Sequence, residues 1–155
     1  MMGSGAGSEG SSPSGFDIPD VGHFELERSE FGDRFICEHP RSDGGFVRVL
    51  VYPDFGPFDA AYCQRVRETT RHIVANQADL LAPMQGDIAK MWDNYELPEP
   101  ATYAELFRGL ELELIKFLAG DRVEIIFEEC PETGWFSLDA YLDGRLQIEE
   151  VWLDG

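Results

Sequence analysis

From Leu110 to the end of the chain, apolar and polar residues alternate with a period of two, and this pattern narrows the fold more than any other. Leu110, Leu112 and Leu114 alternate with Glu111 and Glu113, and Val123, Ile125 and Phe127 with Glu124 and Glu128. Phe136, Leu138, Ala140 and Leu142 alternate with Ser137, Asp139 and Tyr141, and Leu146 and Ile148 open a last segment ending Val151-Trp152-Leu153. Successive side chains of a strand point to opposite faces, so each run predicts a strand with one face on a core. Turn-rich stretches separate the runs: Ala119-Gly120-Asp121, Pro131-Glu132-Thr133-Gly134 and Asp143-Gly144. Asp-Gly is the strongest short hairpin signal, so four consecutive antiparallel strands are expected. Ile115-Lys116 breaks the phase of the first run and predicts a bulge there.

The first half of the chain reads differently. Three strands are expected over His23–Arg28, Arg34–Glu38 and Phe46–Tyr52, the first with Phe24 and Leu26 opposite Glu25 and Glu27. In the third, Val47, Val49 and Val51 face one way and Phe46, Leu50 and Tyr52 the other, the mark of a central strand or one covered on both sides. Pro53 and the Asp54-Phe55-Gly56-Pro57 turn end it. Phe58, Tyr62, Val66, Thr69, Ile73 and Leu80 then recur at helical spacing, predicting one long helix from about 58 to 81. Pro83 breaks it, and a shorter helix over 84–95 carries Met84, Ile88, Met91, Trp92 and Tyr95 on one stripe. Thr102 and Glu105 form a capping box for a third helix, which Gly109 closes. The expected class is α+β: an antiparallel sheet of about three N-terminal and four C-terminal strands, with two to three helices between them packed on one face. Residues 1–15, nearly all Gly, Ser and Ala, read as a disordered tail, and 16–155 as a single domain.

The chain has 155 residues with 30 Asp and Glu against 12 Lys and Arg, a net charge of −18. Such a field repels phosphate backbones and anionic lipids, so neither a nucleic acid nor a membrane is an expected partner. A basic protein is the partner it favours; the plainer reading is that acidity only maintains solubility. The stretch from Leu110 to Gly155 holds twelve acids against three bases, half of the net charge in under a third of the chain. Cys37, Cys63 and Cys130 lack CxxC spacing, and neither a charged-then-apolar leader nor a membrane-length apolar run appears. A reduced, cytoplasmic protein is expected.

The Thr102-Tyr103-x-Glu105-Leu106-Phe107 helix running into the alternating Leu strand, then an acidic strand, Gly134-Trp135-Phe136, Asp143-Gly144 and a closing strand ending in Gly155, resembles a family of small bacterial domains of unknown function. Asn76 through Leu80 and Met91-Trp92-Asp93-Asn94-Tyr95 are similar to that family's upstream helix and its end. The likeness covers roughly 21–155. Some such domains are encoded near bacterial toxin systems, which implies an immunity-like role by association. Where many of those domains have a His, this chain has Ser137 or Leu138, so the resemblance implies no shared active site.

Candidate chemistry is sparse. His23, His39 and His72 belong to no HxH, HExxH or HxxxH pair, although His39, Cys37 and nearby acids are a conceivable metal set. Glu124 and Glu128 share a strand face, and paired carboxylates do acid–base work only where burial raises one pKa. Alternating with core residues, they are expected to point into solvent. Cys63 and His72 lie about 13 Å apart along one helix, too far for a dyad. No GxSxG elbow, phosphate-binding glycine frame or calcium loop is present, so no catalytic, cofactor-binding or metal-binding residue is assigned. Trp135, Tyr141 and Asp139 fall on the face opposite Phe136 and Leu138. That face is either a protein-binding surface or the core beneath the helices. On the first reading the partner-binding residues are Glu124, Glu128, Trp135, Asp139, Tyr141 and Glu149. An enzyme or ligand-binding domain, with a pocket between helices and sheet near His72, Asp93 or Tyr95, is the alternative. A homo-oligomer built through an exposed strand edge is a third.

Overall fold

A computed structural model of the chain describes residues 15–30, 32–41, 44–53, 58–94, 110–129 and 137–154. Eight strands form one sheet in chain order: β1 (Gly15–Ile18), β2 (Gly22–Ser29), β3 (Gly32–Pro40), β4 (Phe46–Val51), β5 (Leu110–Phe117), β6 (Val123–Glu129), β7 (Ser137–Leu142) and β8 (Ile148–Asp154). The N-terminal half therefore holds four strands where three were expected. The added strand, β1, is too short to show alternation. Tertiary contact holds it: Ile18 is buried, and the Phe16 ring stacks on Phe24 at 5.1 Å. Phe16 also meets Phe35 and Phe58, at 5.0 and 5.3 Å.

The expectation of an antiparallel sheet is corrected at its centre. Six neighbour pairs are antiparallel, but β4 and β5 run parallel, Arg48 opposite Leu114 and Val51 opposite Phe117. Parallel neighbours require a long crossover, usually helical, and the helices between β4 and β5 fall within it. Two four-stranded meanders are thus joined edge to edge along their innermost strands. β4 is buried on both faces: Leu50, which alternates with the core valines, is only 1% exposed.

The long helix expected over 58–81 is divided into α1 (Ala60–Ala75) and α2 (Gln77–Leu81). Asp59 starts α1, its Oδ1 accepting the Tyr62 amide at 2.8 Å. Asn76 ends it. At φ −127° it leaves the helical region, and its Nδ2 donates to the His72 carbonyl at 2.9 Å, the local backbone bonding by which Asn competes with a helix. A 3₁₀ turn over Ala82–Met84, with Pro83 inside, leads into α3 (Gln85–Asn94). The helix expected at 102–109 lies outside the described residues.

The helices pack on one face. Val66, Ile73, Leu81 and Ile88 join the cluster that includes Val47, Val49, Val51, Ile125 and Leu138. Among these contacts α1 lies against β1 and β5, and α3 against β8. Burying each large apolar side chain stabilises by about 1.5–3 kcal/mol relative to exposure. The bulge in β5 is displaced from its expected place. The register shifts between Leu112 and Leu114, so Glu113 is the extra residue. Leu112 then faces the core with Ile115 and Phe117, while Leu114 turns to the opposite side.

Candidate functional site

The face away from α1, α2 and α3 is read directly from the strand register. One row crosses the sheet as Glu25, Ile36, Leu50, Lys116, Glu124, Tyr141 and Glu150. The next runs Glu38, Arg48, Leu114, Ile126, Asp139 and Trp152. The face therefore has a narrow apolar centre of Ile36, Leu50, Leu114 and Ile126, with carboxylates to either side. Of the residues assigned from sequence, Glu124, Glu128, Asp139 and Tyr141 come together on it, Glu128 opposite Ser137. Trp135 lies outside the described residues. Trp152, left out of that set, stands on this face 56% exposed and opposite Asp139. The signal for it was in the sequence, since Val151 and Leu153 flank it and both face the core.

Glu124 does not point into solvent, which corrects the sequence expectation. It is only 9% exposed, because Lys116 and Tyr141 flank it on the neighbouring strands. The Tyr141 hydroxyl donates to its Oε2 at 3.2 Å, and Lys116 Nζ lies 3.9 Å from Oε1. Burial, and then the adjacent Glu124 carboxylate, push the Tyr141 phenol above its ordinary pKa. The Arg122 guanidinium sits 4.8 Å from the centre of the Tyr141 ring. It also reaches Glu149 and Glu150, each at 3.3 Å. Glu149 thus stands apart from both rows, at the register shift between β7 and β8, and is paired with this arginine.

A second cluster forms at the β5 bulge. Arg41 donates to the Leu112 carbonyl at 2.8 Å and lies 3.6 and 3.7 Å from the carboxylates of Glu111 and Glu113. Despite this guanidinium the Glu113 carboxyl is raised, by burial first and then by Glu128 and Glu111. At β8, Trp152 Nε1 donates to Glu150 Oε2 at 2.7 Å. The face therefore presents carboxylates held in place by their neighbours and an exposed indole. Nothing in this arrangement is a nucleophile activated by a base.

The other candidates have structural partners. The Cys37 thiol and His39 Nδ1 both reach the Val21 carbonyl, at 3.6 and 2.9 Å, clamping the β1–β2 turn. Burial pushes the Cys37 thiol up to about 11, leaving it protonated and a poor metal ligand. His23 bonds Asp17 across the β1–β2 pair at 2.7 Å. Among the described residues no group of three or more His, Cys, Asp and Glu is placed to hold a metal ion. His72 lines a groove with Gln64, Arg65, Glu68, Asp121 and Asp143, between α1 and the turns after β5 and β7. Its polar groups are largely engaged with their own surroundings: Arg65 pairs with Asp121 at 3.3 Å, and Asp143 accepts the amides of Arg145 and Gln147. Those two amides hold the Asp143 carboxyl below its usual range. The other members of the expected pocket fall outside what is described, the Asp93 side chain and Tyr95 alike.

No family model, curated protein or solved structure matches the chain. No described helix is long and apolar enough to cross a membrane.

Proposed function

We propose that this chain is a non-catalytic binding domain that engages a basic protein through the face of its sheet away from α1, α2 and α3, in an immunity-like role. The observation that carries the reading is the gathering of Glu124, Glu128, Asp139, Tyr141 and Trp152 on the face away from α1, α2 and α3. Carboxylates fixed on a rigid sheet accept basic side chains without first losing conformational freedom, and the net charge of −18 steers such a partner over distance. Tyr and Trp are the residues that most often anchor protein interfaces. The free thiols of Cys37 and Cys63 suit a cytoplasmic setting. The resemblance to domains found beside toxin systems points the same way, toward a toxin neutralised by its acidic partner.

The test is the association rate with the basic partner recovered from the host. Steering by exposed charge weakens with screening, so the rate should fall at least tenfold between about 0.05 and 0.5 M salt. A rate that does not change with salt would sink the reading. An enzyme or small-ligand domain has one observation in its favour, the groove beside His72. Its main charged groups already answer one another there, and the helix–sheet interface itself is filled by Val66, Ile73 and Ile88.

A further inference from the structure

β8 is the last strand of the sheet and pairs only with β7, so one row of its backbone N–H and C=O groups has no strand partner among the described residues. Exposed edges invite pairing, and proteins commonly blunt them with proline, lysine, a bulge or a covering element. β8 contains no proline and no basic residue, and its register shift falls at its start, leaving Glu150 to Asp154 in regular pairing. β1, at the other edge, has four residues against the seven of β8. The side chains of β8 divide cleanly by face. Glu150 and Trp152 stand on the face away from the helices; Val151 and Leu153 face the core. Beside the strand, a groove of about 590 Å³ runs between α3 and β8, where Met84, Met91 and Val151 lie among three carboxylates and the cations Lys90 and Arg122.

We propose that β8 accepts an extended segment of the basic partner as a ninth strand. The inference deepens the reading above and rests on it. Backbone pairing supplies affinity in this mode and alternate side chains supply specificity. The two faces of β8 then dictate the segment's pattern. Lys or Arg at every second position lies beside Glu150 and over the exposed Trp152 indole, a cation–π contact. The residues between them are apolar and extend the core past Val151 and Leu153. A second copy of this chain is a poor occupant, because each copy carries a net charge of −18 and β8 itself holds three acids and no base, so two such edges repel.

The test uses the full chain and a capped peptide of four Lys alternating with four Val, one residue longer than the seven of β8. Two isomers of equal charge accompany it, one N-methylated at every Lys and one at every Val. Amides two apart in a strand point to the same side, so each isomer loses its hydrogen-bond donors on one edge only. The expected result is that one isomer binds at least tenfold more weakly than the parent while the other binds as the parent does, with slowed amide exchange in β8. The inference is overturned if the two isomers bind alike, or if the parent does not bind. Should all three bind alike and all lose affinity to Glu128→Gln with Asp139→Asn, the acidic face stands as the site and strand addition alone falls.

Discussion

At Glu124 the environment is made by two residues far away in sequence. Lys116 and Tyr141 flank it from the neighbouring strands, and the Tyr141 hydroxyl donates to it at 3.2 Å. Alternation along β6 shows which face Glu124 occupies but carries no information about what stands across from it, so its burial was not legible in sequence. Tyr141→Phe should lower stability by about 1 kcal/mol, the usual worth of such a bond, in urea unfolding. Glu113 tests the electrostatics of the same face. Its carboxyl is raised chiefly by burial, so folding tightens its hold on a proton. Stability from this group therefore falls as pH rises from the ordinary carboxylate range through the raised value. Glu113→Gln should remove that fall. Its urea midpoint should exceed the parent's at about pH 7, and the advantage should vanish below about pH 4, where carboxyls are protonated in both states.

Elements were legible where the signal is local and long. β6 and β7 each set apolar residues at three alternate positions, and Val123, Ile125, Phe127, Leu138, Ala140 and Leu142 all face the core. β1 was missed because four residues give no period; Phe24, Phe35 and Phe58 hold it through Phe16. The β5 bulge fell at Glu113 and not at Ile115-Lys116, because a bulge is fixed by pairing with β6, which no single strand reveals. Asn76 divides the helix by bonding its own backbone, a competition that apolar periodicity does not register. If the aromatic cluster is what ties β1 to the sheet, Phe24→Ala should cost about 3–5 kcal/mol in urea or thermal unfolding, since the Phe24 ring is fully buried. Amide exchange in β1 should then accelerate more than in β7.

Across the whole molecule, the parallel join of β4 to β5 brings the N-terminal meander beside the acidic C-terminal one and makes a single eight-stranded face of them. Strand order is a non-local property, so the sequence reading reached the two halves and not the join. It reached the face away from the helices in the same partial way. Glu124, Glu128, Asp139 and Tyr141 share one face of the sheet, whereas Arg122 holds Glu149 at the β8 bulge, and Trp152, outside the set named from sequence, stands on that face. On the proposed function this face, and not net charge alone, contacts a basic protein. The most direct measurement is capture from host lysate by the parent chain and by two folded variants of equal charge. Glu128→Lys with Asp139→Lys alters the face away from the helices; Glu68→Lys with Asp79→Lys alters exposed helix positions. One basic protein should be retained in stoichiometric amount by the parent and the helix variant and lost by the face variant. Equal retention by both variants, or equal loss from both, would contradict it.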